Sequence, residues 1–273
     1  MPATLDEASL EALIVEQMVT SEAQTPTWRE GAPGGYSPSY GVAPSDLARF
    51  VADTQPAVAE ALGLRADSST RHKFFARLQG EIAKHGVVAV LRGGLDYNQH
   101  HVDLYYPTPS PGNAKASDQF ALNRFTITQQ VHYSTTDPGR SLDLVAFVNG
   151  LPIATFELKN LITKQTVEDA VLQYKRDRDP RELIFGFGRC MVHFAVDDQQ
   201  VRFCTHLKGK NSWFLPFDQG WKDGAGNPPN PDGVKTDYLW KQVLAPASLA
   251  NIIENYAQVV ATKNPKTGKK TST

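Results

Sequence analysis

Apolar positions along this chain follow two periods, and the change from one to the other falls near Gly86. Before it, Leu10, Ile14 and Met18 recur at helical spacing and predict a core-facing stripe on a helix over residues 5–20. Residues 21–44 are rich in Gly, Pro, Ser and Thr and predict a long connection. Pro44-Ser45-Asp46 predicts a helix start for residues 46–64, with Pro56 placed to break it. Ser69 is positioned to cap a helix over 70–84 that Gly86 would end. Short β-branched or aromatic runs bounded by turn residues come next, and 87–92, 102–106, 123–133, 142–148 and 153–159 read as strands. Thr166 opens a helix to about Arg178, with Asp169 completing a partial capping box. Strands follow near 183–196 and 201–206, then a Gly-, Pro-, Asn- and Asp-rich loop over 208–235 of a length that is usually functional or disordered. A last helix is expected over 248–260, with Ser248 as its N-cap. No internal repeat appears. The sum is an α/β chain with a central mixed β-sheet flanked by helices: one domain over residues 1–260 with a helical N-terminal region, then a basic linker over 261–273.

Composition narrows the class. With 273 residues, 41% of them hydrophobic and 21% charged, the chain can bury a full core as a soluble globular protein. Its 28 basic and 29 acidic residues give a net charge of -1, so no overall electrostatic footprint for nucleic acid exists. Any DNA it acts on must be held by something else. Cys190 and Cys204 have no CxxC spacing, which argues against disulfide or zinc scaffolds and for a reducing cytoplasm. The acidic N-terminus lacks the features of a signal peptide, and no run approaches the ~20 apolar residues of a membrane span.

The candidate chemistry lies in residues 141–160, SLDLVAFVNGLPIATFELKN. Two apolar strands meet at Asn149-Gly150, and Asp143, Glu157 and Lys159 are the only charged groups in the run. Buried charges are costly unless paired, hydrogen-bonded or bound to metal. Register decides whether these three can meet, because side chains alternate faces along a strand. A plain two-residue turn pairs Asp143 with Phe156 and sends Glu157 to the other face. A three-residue loop with a bulge at Gly150 reverses the parity and puts Asp143, Glu157 and Lys159 together. A metal site needs the second geometry, so a bulged turn is expected. On one face the two carboxylates could hold a hard divalent cation such as Mg²⁺, and Lys159 could orient a water and offset charge on phosphorus. A structural Asp/Glu/Lys ion-pair cluster is the plainer alternative.

Further motifs carry a resemblance. Asn149-Gly150-Leu151-Pro152, Glu157-Leu158-Lys159-Asn160 and Thr166-Val167-Glu168-Asp169-Ala170, leading to Gln173-Tyr174, form one series. Asn123-Arg124-Phe125, Phe214-Leu215-Pro216-Phe217 and the Gly224–Pro229 run GAGNPP extend it. Glu11 with Ile14-Val15 and Thr54-Gln55-Pro56 fit it near the start. Together they make the chain resemble the N-terminal nuclease domain of the restriction (R) subunit of type I restriction-modification enzymes, built on the PD-(D/E)xK fold. The resemblance implies a type I site-specific deoxyribonuclease. In it, Asp143, Glu157 and the backbone carbonyl of Leu158 would bind Mg²⁺, and Lys159 and Gln173 would join the catalytic set. Many members have a tyrosine four residues after that glutamine, whereas this chain has Asp177 there and Tyr174 beside it. An acid at the position of Glu11 often borders the site. Double-stranded DNA, the methylation (M) and specificity (S) subunits and an ATP-driven motor of the same subunit would be the partners. No GxxxxGK[ST] loop occurs here, so ATP would act only through a motor outside this chain. Two alternatives stand beside this reading: a non-catalytic docking module, and a nuclease of the same fold serving repair or a solitary restriction system.

Three other features read as ordinary structure, and a fourth does not. His100-His101 lacks metal-ligand spacing and fits a solvent-facing strand edge. Gly186-Phe187-Gly188 lacks the third glycine of a dinucleotide loop and fits a strand or bend near the core. The mixed charges of residues 175–181 fit a solvated helix end. Trp213, Phe214, Phe217 and Trp221 are more aromatics than a tether needs, and suggest docking to the motor or to partner subunits.

Overall fold

The computed structural model describes residues 7–21, 25–160, 164–263 and 270–272. The chain opens with α1 (Glu7–Val19), β1 (Trp28–Glu30), α2 (Pro44–Thr54), α3 (Pro56–Ala61), α4 (Ser69–His85) and α5 (Val87–Gly93). A small hairpin of β2 (Leu95–Tyr97) and β3 (His100–Val102) and the short α6 (Ala114–Ala121) lead to β4 (Phe125–His132), β5 (Ser141–Val148) and β6 (Leu151–Leu158). Then come α7 (Val167–Arg176), β7 (Val192–Val196), β8 (Val201–Cys204), β9 (Leu215–Pro216), α8 (Pro246–Asn251) and a terminal pair, β10 (Ala261–Lys263) and β11 (Lys270–Ser272).

Seven strands form one mixed sheet in the order β1-β4-β5-β6-β7-β8-β9. β1 runs parallel to β4 and β6 parallel to β7, while the other neighbours are antiparallel. The expected α/β architecture with a central mixed sheet is therefore present. Its faces differ in character. One packs against the N-terminal helices through a large apolar cluster that includes Leu10, Phe50, Phe74, Leu144, Phe156 and Phe194. The other packs against α7 through a smaller cluster of Val145, Phe147, Val171, Tyr174 and Phe185.

Several predicted elements differ from those observed. Residues 87–92 form α5, not a strand. Val87, Val90 and Leu91 are buried at helical spacing, and that period outweighs the β-branched composition. Of the next predicted strand, 102–106, only Val102 is paired, as the last residue of β3. Within 183–196 the strand is confined to Val192–Val196, because Leu183–Phe185 is a 3₁₀ turn and Gly188 takes φ +76°. The last long helix starts at Pro246, so Ser248 lies inside it, and it ends in a π-helical turn at Ile252–Tyr256. Ser68, one residue before the predicted cap, accepts the hydrogen bond from the Arg71 N–H that caps α4. In the predicted linker the backbone of β10 pairs with β11. Residues 264–269 and 273 of that stretch, and the start of the first predicted helix at 5 and 6, lie outside the described residues. No helix among the described residues is long and apolar enough to cross a membrane.

Candidate active site

The β5–β6 hairpin sets the site, and its turn is tighter than expected. Val148 pairs with Leu151, and Asn149 and Gly150 both take positive φ, +51° and +82°, as a two-residue primed turn requires. A Cβ on Gly150 would sit 2.6 Å from the Ala43 carbonyl oxygen and 2.7 Å from Leu47 N, so only glycine fits. Asn149 is fully buried and works as a staple. Its Oδ1 accepts from Arg124 N at 2.6 Å, and its Nδ2 donates to Leu104 O and Asn123 Oδ1, both at 2.9 Å. The asparagines at 123 and 149 thus hold the sheet's end together.

The predicted bulge exists, but inside the strand and not at Gly150. Phe147 pairs with Pro152 and Ala146 with Ala154, which leaves Ile153 as the extra residue on β6. Beyond it the parity is reversed. Ile153, Ala154, Phe156 and Leu158 all belong to the apolar cluster under the N-terminal helices, and Thr155 and Glu157 turn to the α7 face. Extending the Leu144–Phe156 pair by one residue places Asp143 opposite Glu157. Lys159, two residues on, keeps that face and continues the strand by donating its N–H to Val196 O at 2.9 Å.

Both ladders open at Asp143. On one side its Oδ2 accepts from Leu158 N at 2.6 Å. On the other, Gln130 and Asp143 drop out of the β4–β5 pairing, and Gln130 takes φ +47°. The exposed Gln130 donates from Nε2 to both carboxylate oxygens of Glu11, at 2.9 and 3.0 Å, and accepts from Ser141 Oγ at 2.8 Å. Glu11 is thereby tied to β4, at the residue that drops out of the ladder together with Asp143.

Glu157 is wholly buried. Its Oε1 accepts from Arg178 Nε at 2.6 Å, whereas Oε2 is buried with no hydrogen-bond partner among the described residues. Arg178 Nη1 donates to the Tyr133 hydroxyl at 3.0 Å, and the guanidinium lies over that ring. Burial, then the negative charge of Asp143, pushes the Glu157 carboxyl up to about 8, against the opposing pull of Arg178 and Lys159. The charge run at the end of α7 is solvated as expected at Arg176, Asp177 and Arg181, with Arg178 the exception. Arg178 is buried, because Glu157 supplies the counter-charge that makes its burial tolerable. Next to the acids, Thr155 Oγ1 meets the Tyr174 hydroxyl at 2.7 Å and His193 Nδ1 at 2.8 Å. Burial holds His193 far down, at about 3.

The hairpin thus brings Asp143, Glu157 and Lys159 onto one face, the three sequence candidates together. Gln173 sits half-buried on α7, and its side chain forms no hydrogen bond among the described residues. The full capping box of Thr166 and Asp169 fixes the start of that helix. Sequence reasoning missed Arg178, Tyr133, Gln130 and the Thr155–Tyr174–His193 chain. None of these left a readable signal, since Gln130 lies in a strand, FTITQQVH, that is mostly polar.

The donor set suits a hard divalent cation: two facing buried carboxylates, one with an oxygen that no hydrogen bond among the described residues satisfies. Among the described residues no group of three or more His, Cys, Asp or Glu side chains is placed to hold a metal ion. An ion here would rest on two side-chain carboxylates plus backbone and water oxygens.

No curated protein matches the chain. Residues 95–212, which contain the hairpin, α7 and β7, match the family model for the type I restriction enzyme R protein N terminus, and the PD-(D/E)xK placement is consistent with that match. The region that builds this site belongs to the family of type I restriction enzyme R protein N-terminal domains.

Proposed function

We propose that this chain is the Mg²⁺-dependent endonuclease domain of a type I restriction enzyme R subunit, hydrolysing DNA phosphodiester bonds after ATP-driven translocation by the motor. The observation that carries the reading is the parity switch at Ile153, which sets Asp143 opposite Glu157 with Lys159 on the same face. Asp143 and Glu157 would hold the ion. The Leu158 carbonyl would join them, because in an extended strand a residue's N–H and C=O leave toward the same neighbour, and the Leu158 N–H faces Asp143. Bound there, a divalent ion polarises a phosphodiester and acidifies a water. The Leu158 amide fixes the Asp143 carboxylate, and Arg178 fixes Glu157 from the opposite oxygen. Lys159 orients the attacking water and stabilises charge building on the phosphoryl oxygens. Gln173, on the helix over this face, would border the substrate.

The near-neutral chain would rely on the motor and on the M and S subunits to grip double-stranded DNA. Lys159→Ala in the assembled complex is the test. ATPase activity should persist while DNA cutting falls by about a hundredfold or more. Cutting at the wild-type rate would refute the assignment.

A further inference from the structure

Glu157 already has a cation of its own. Arg178 donates to its Oε1 at 2.6 Å, and the two side chains are 7% and 0% exposed. The guanidinium is held on its far side as well, by the Tyr133 hydroxyl at 3.0 Å and by the Tyr133 ring, 5.4 Å from centroid to guanidinium carbon. Arg178 comes from the segment after α7, Tyr133 from just past the end of β4 and Glu157 from β6, so three separate pieces of chain meet at one guanidinium. The other oxygen, Oε2, is buried and has no hydrogen-bond partner among the described residues.

We infer that Arg178 is a built-in counter-cation that competes electrostatically with a divalent ion for Glu157 and so sets the site's affinity for that ion. The inference rests on the metal-site reading given above. Arginine keeps its charge at any accessible pH, and its fork suits a fixed carboxylate. In a buried site a positive charge on the same carboxylate repels an incoming cation with little screening by water or salt. Arg178 also steadies the Glu157 side chain, which could instead favour the ion. That contribution is redundant, because Glu157 lies on the central strand β6 with none of its surface exposed. The charge is not redundant, so repulsion dominates. Arg178 thereby makes the facing acids compatible with burial when no ion is bound, at the cost of weaker ion binding.

Manganese titration of the 273-residue chain by calorimetry tests this. Arg178→Gln should bind Mn²⁺ at least about tenfold more tightly than the wild type, and Asp143→Asn should abolish binding in either background. Arg178→Lys keeps the charge and should stay within about threefold of the wild type. Unchanged or weaker binding by Arg178→Gln, with Asp143-dependent binding intact in the wild type, overturns the inference and leaves the metal site standing. Absence of Asp143-dependent binding in both chains overturns the metal site itself. A readout on the wild type needs no variant to fold. If Arg178 and the ion share one carboxylate, the Arg178 Nε–H proton resonance moves on Mg²⁺ addition, with the midpoint of ion binding. A resonance unmoved at ion saturation overturns the inference.

Discussion

The two faces of β6 have the same backbone and opposite tasks. Toward the N-terminal helices, Ile153, Ala154, Phe156 and Leu158 enter an apolar cluster, and Phe156 stacks on Phe194 with ring centroids 5.4 Å apart. Toward α7, Thr155 and Glu157 meet hydroxyl, imidazole and guanidinium groups. The first face gains stability from burial that is indifferent to direction. The second gains little net stability, since each buried polar group mostly recovers its own desolvation. What it acquires is geometry: Asp143 Oδ2 and Glu157 Oε1 each accept a hydrogen bond at 2.6 Å. The contrast teaches that one strand can anchor a domain and present its chemistry only if something assigns residues to faces. Here that is a single extra residue.

Deleting Ile153 should therefore have the largest effect. The register would revert to a plain hairpin, turning Glu157 and Lys159 into the cluster that holds Leu144 and Phe194. Placing two charges there costs several kcal/mol each, comparable to the whole stability of a domain. The expected outcome is loss of a cooperative thermal transition by circular dichroism. A variant that melts like the wild type would show that the bulge does not assign the faces.

Phe156→Ala comes next, and sharpens the comparison from the apolar side. Loss of a buried phenyl ring should cost about 3–5 kcal/mol in urea unfolding. Divalent-ion binding by the molecules that remain folded should be unchanged, because the side chain points away from the acids. Weakened ion affinity at full folding would mean that the faces are not independent.

Much of this division was legible in the residues, and the part that was not has a physical reason. Asn149-Gly150 marked the turn, and Asp143, Glu157 and Lys159 stood out as charges in an apolar run. The position of the parity switch left no mark, because Ile153 and Ala154 are both apolar and both face one cluster. In a strand buried on both sides, apolar residues cannot report which way they point. Arg178 was hidden in a run of alternating charges, and its burial depends on Glu157, 21 residues earlier. The aromatic loop split: Phe214 and Phe217 pack against Tyr174 and Phe194, whereas Trp213 is 76% exposed and Trp221 is also exposed. Helix α5 could have been read from Val87, Val90 and Leu91, had spacing been weighed above β-branching.

The smallest expected effect belongs to the polar face and is seen through pH. His193 is buried against Thr155, and its proton affinity falls from the ordinary 6.5 to about 3, by burial first and then by the charge of His206. Between those values the unfolded chain binds a proton that the folded chain refuses, so stability is full above pH 6.5 and declines as pH falls toward 3. The slope is about 1.4 kcal/mol per pH unit, or about 2 kcal/mol at pH 5. Glu157 acts with the opposite sign. Its carboxyl is raised from 4.5 to about 8, so its contribution is full below 4.5 and is lost as pH rises to 8. The two slopes oppose each other between 4.5 and 6.5, and the wild-type profile should be nearly flat there. His193→Gln removes one of them. Its stability measured by urea unfolding should rise on acidification from pH 6.5 to 5, by about 2 kcal/mol relative to the wild type. Parallel profiles for the two chains would mean that His193 takes up its proton inside the fold, and that the polar face is wetter than its packing implies.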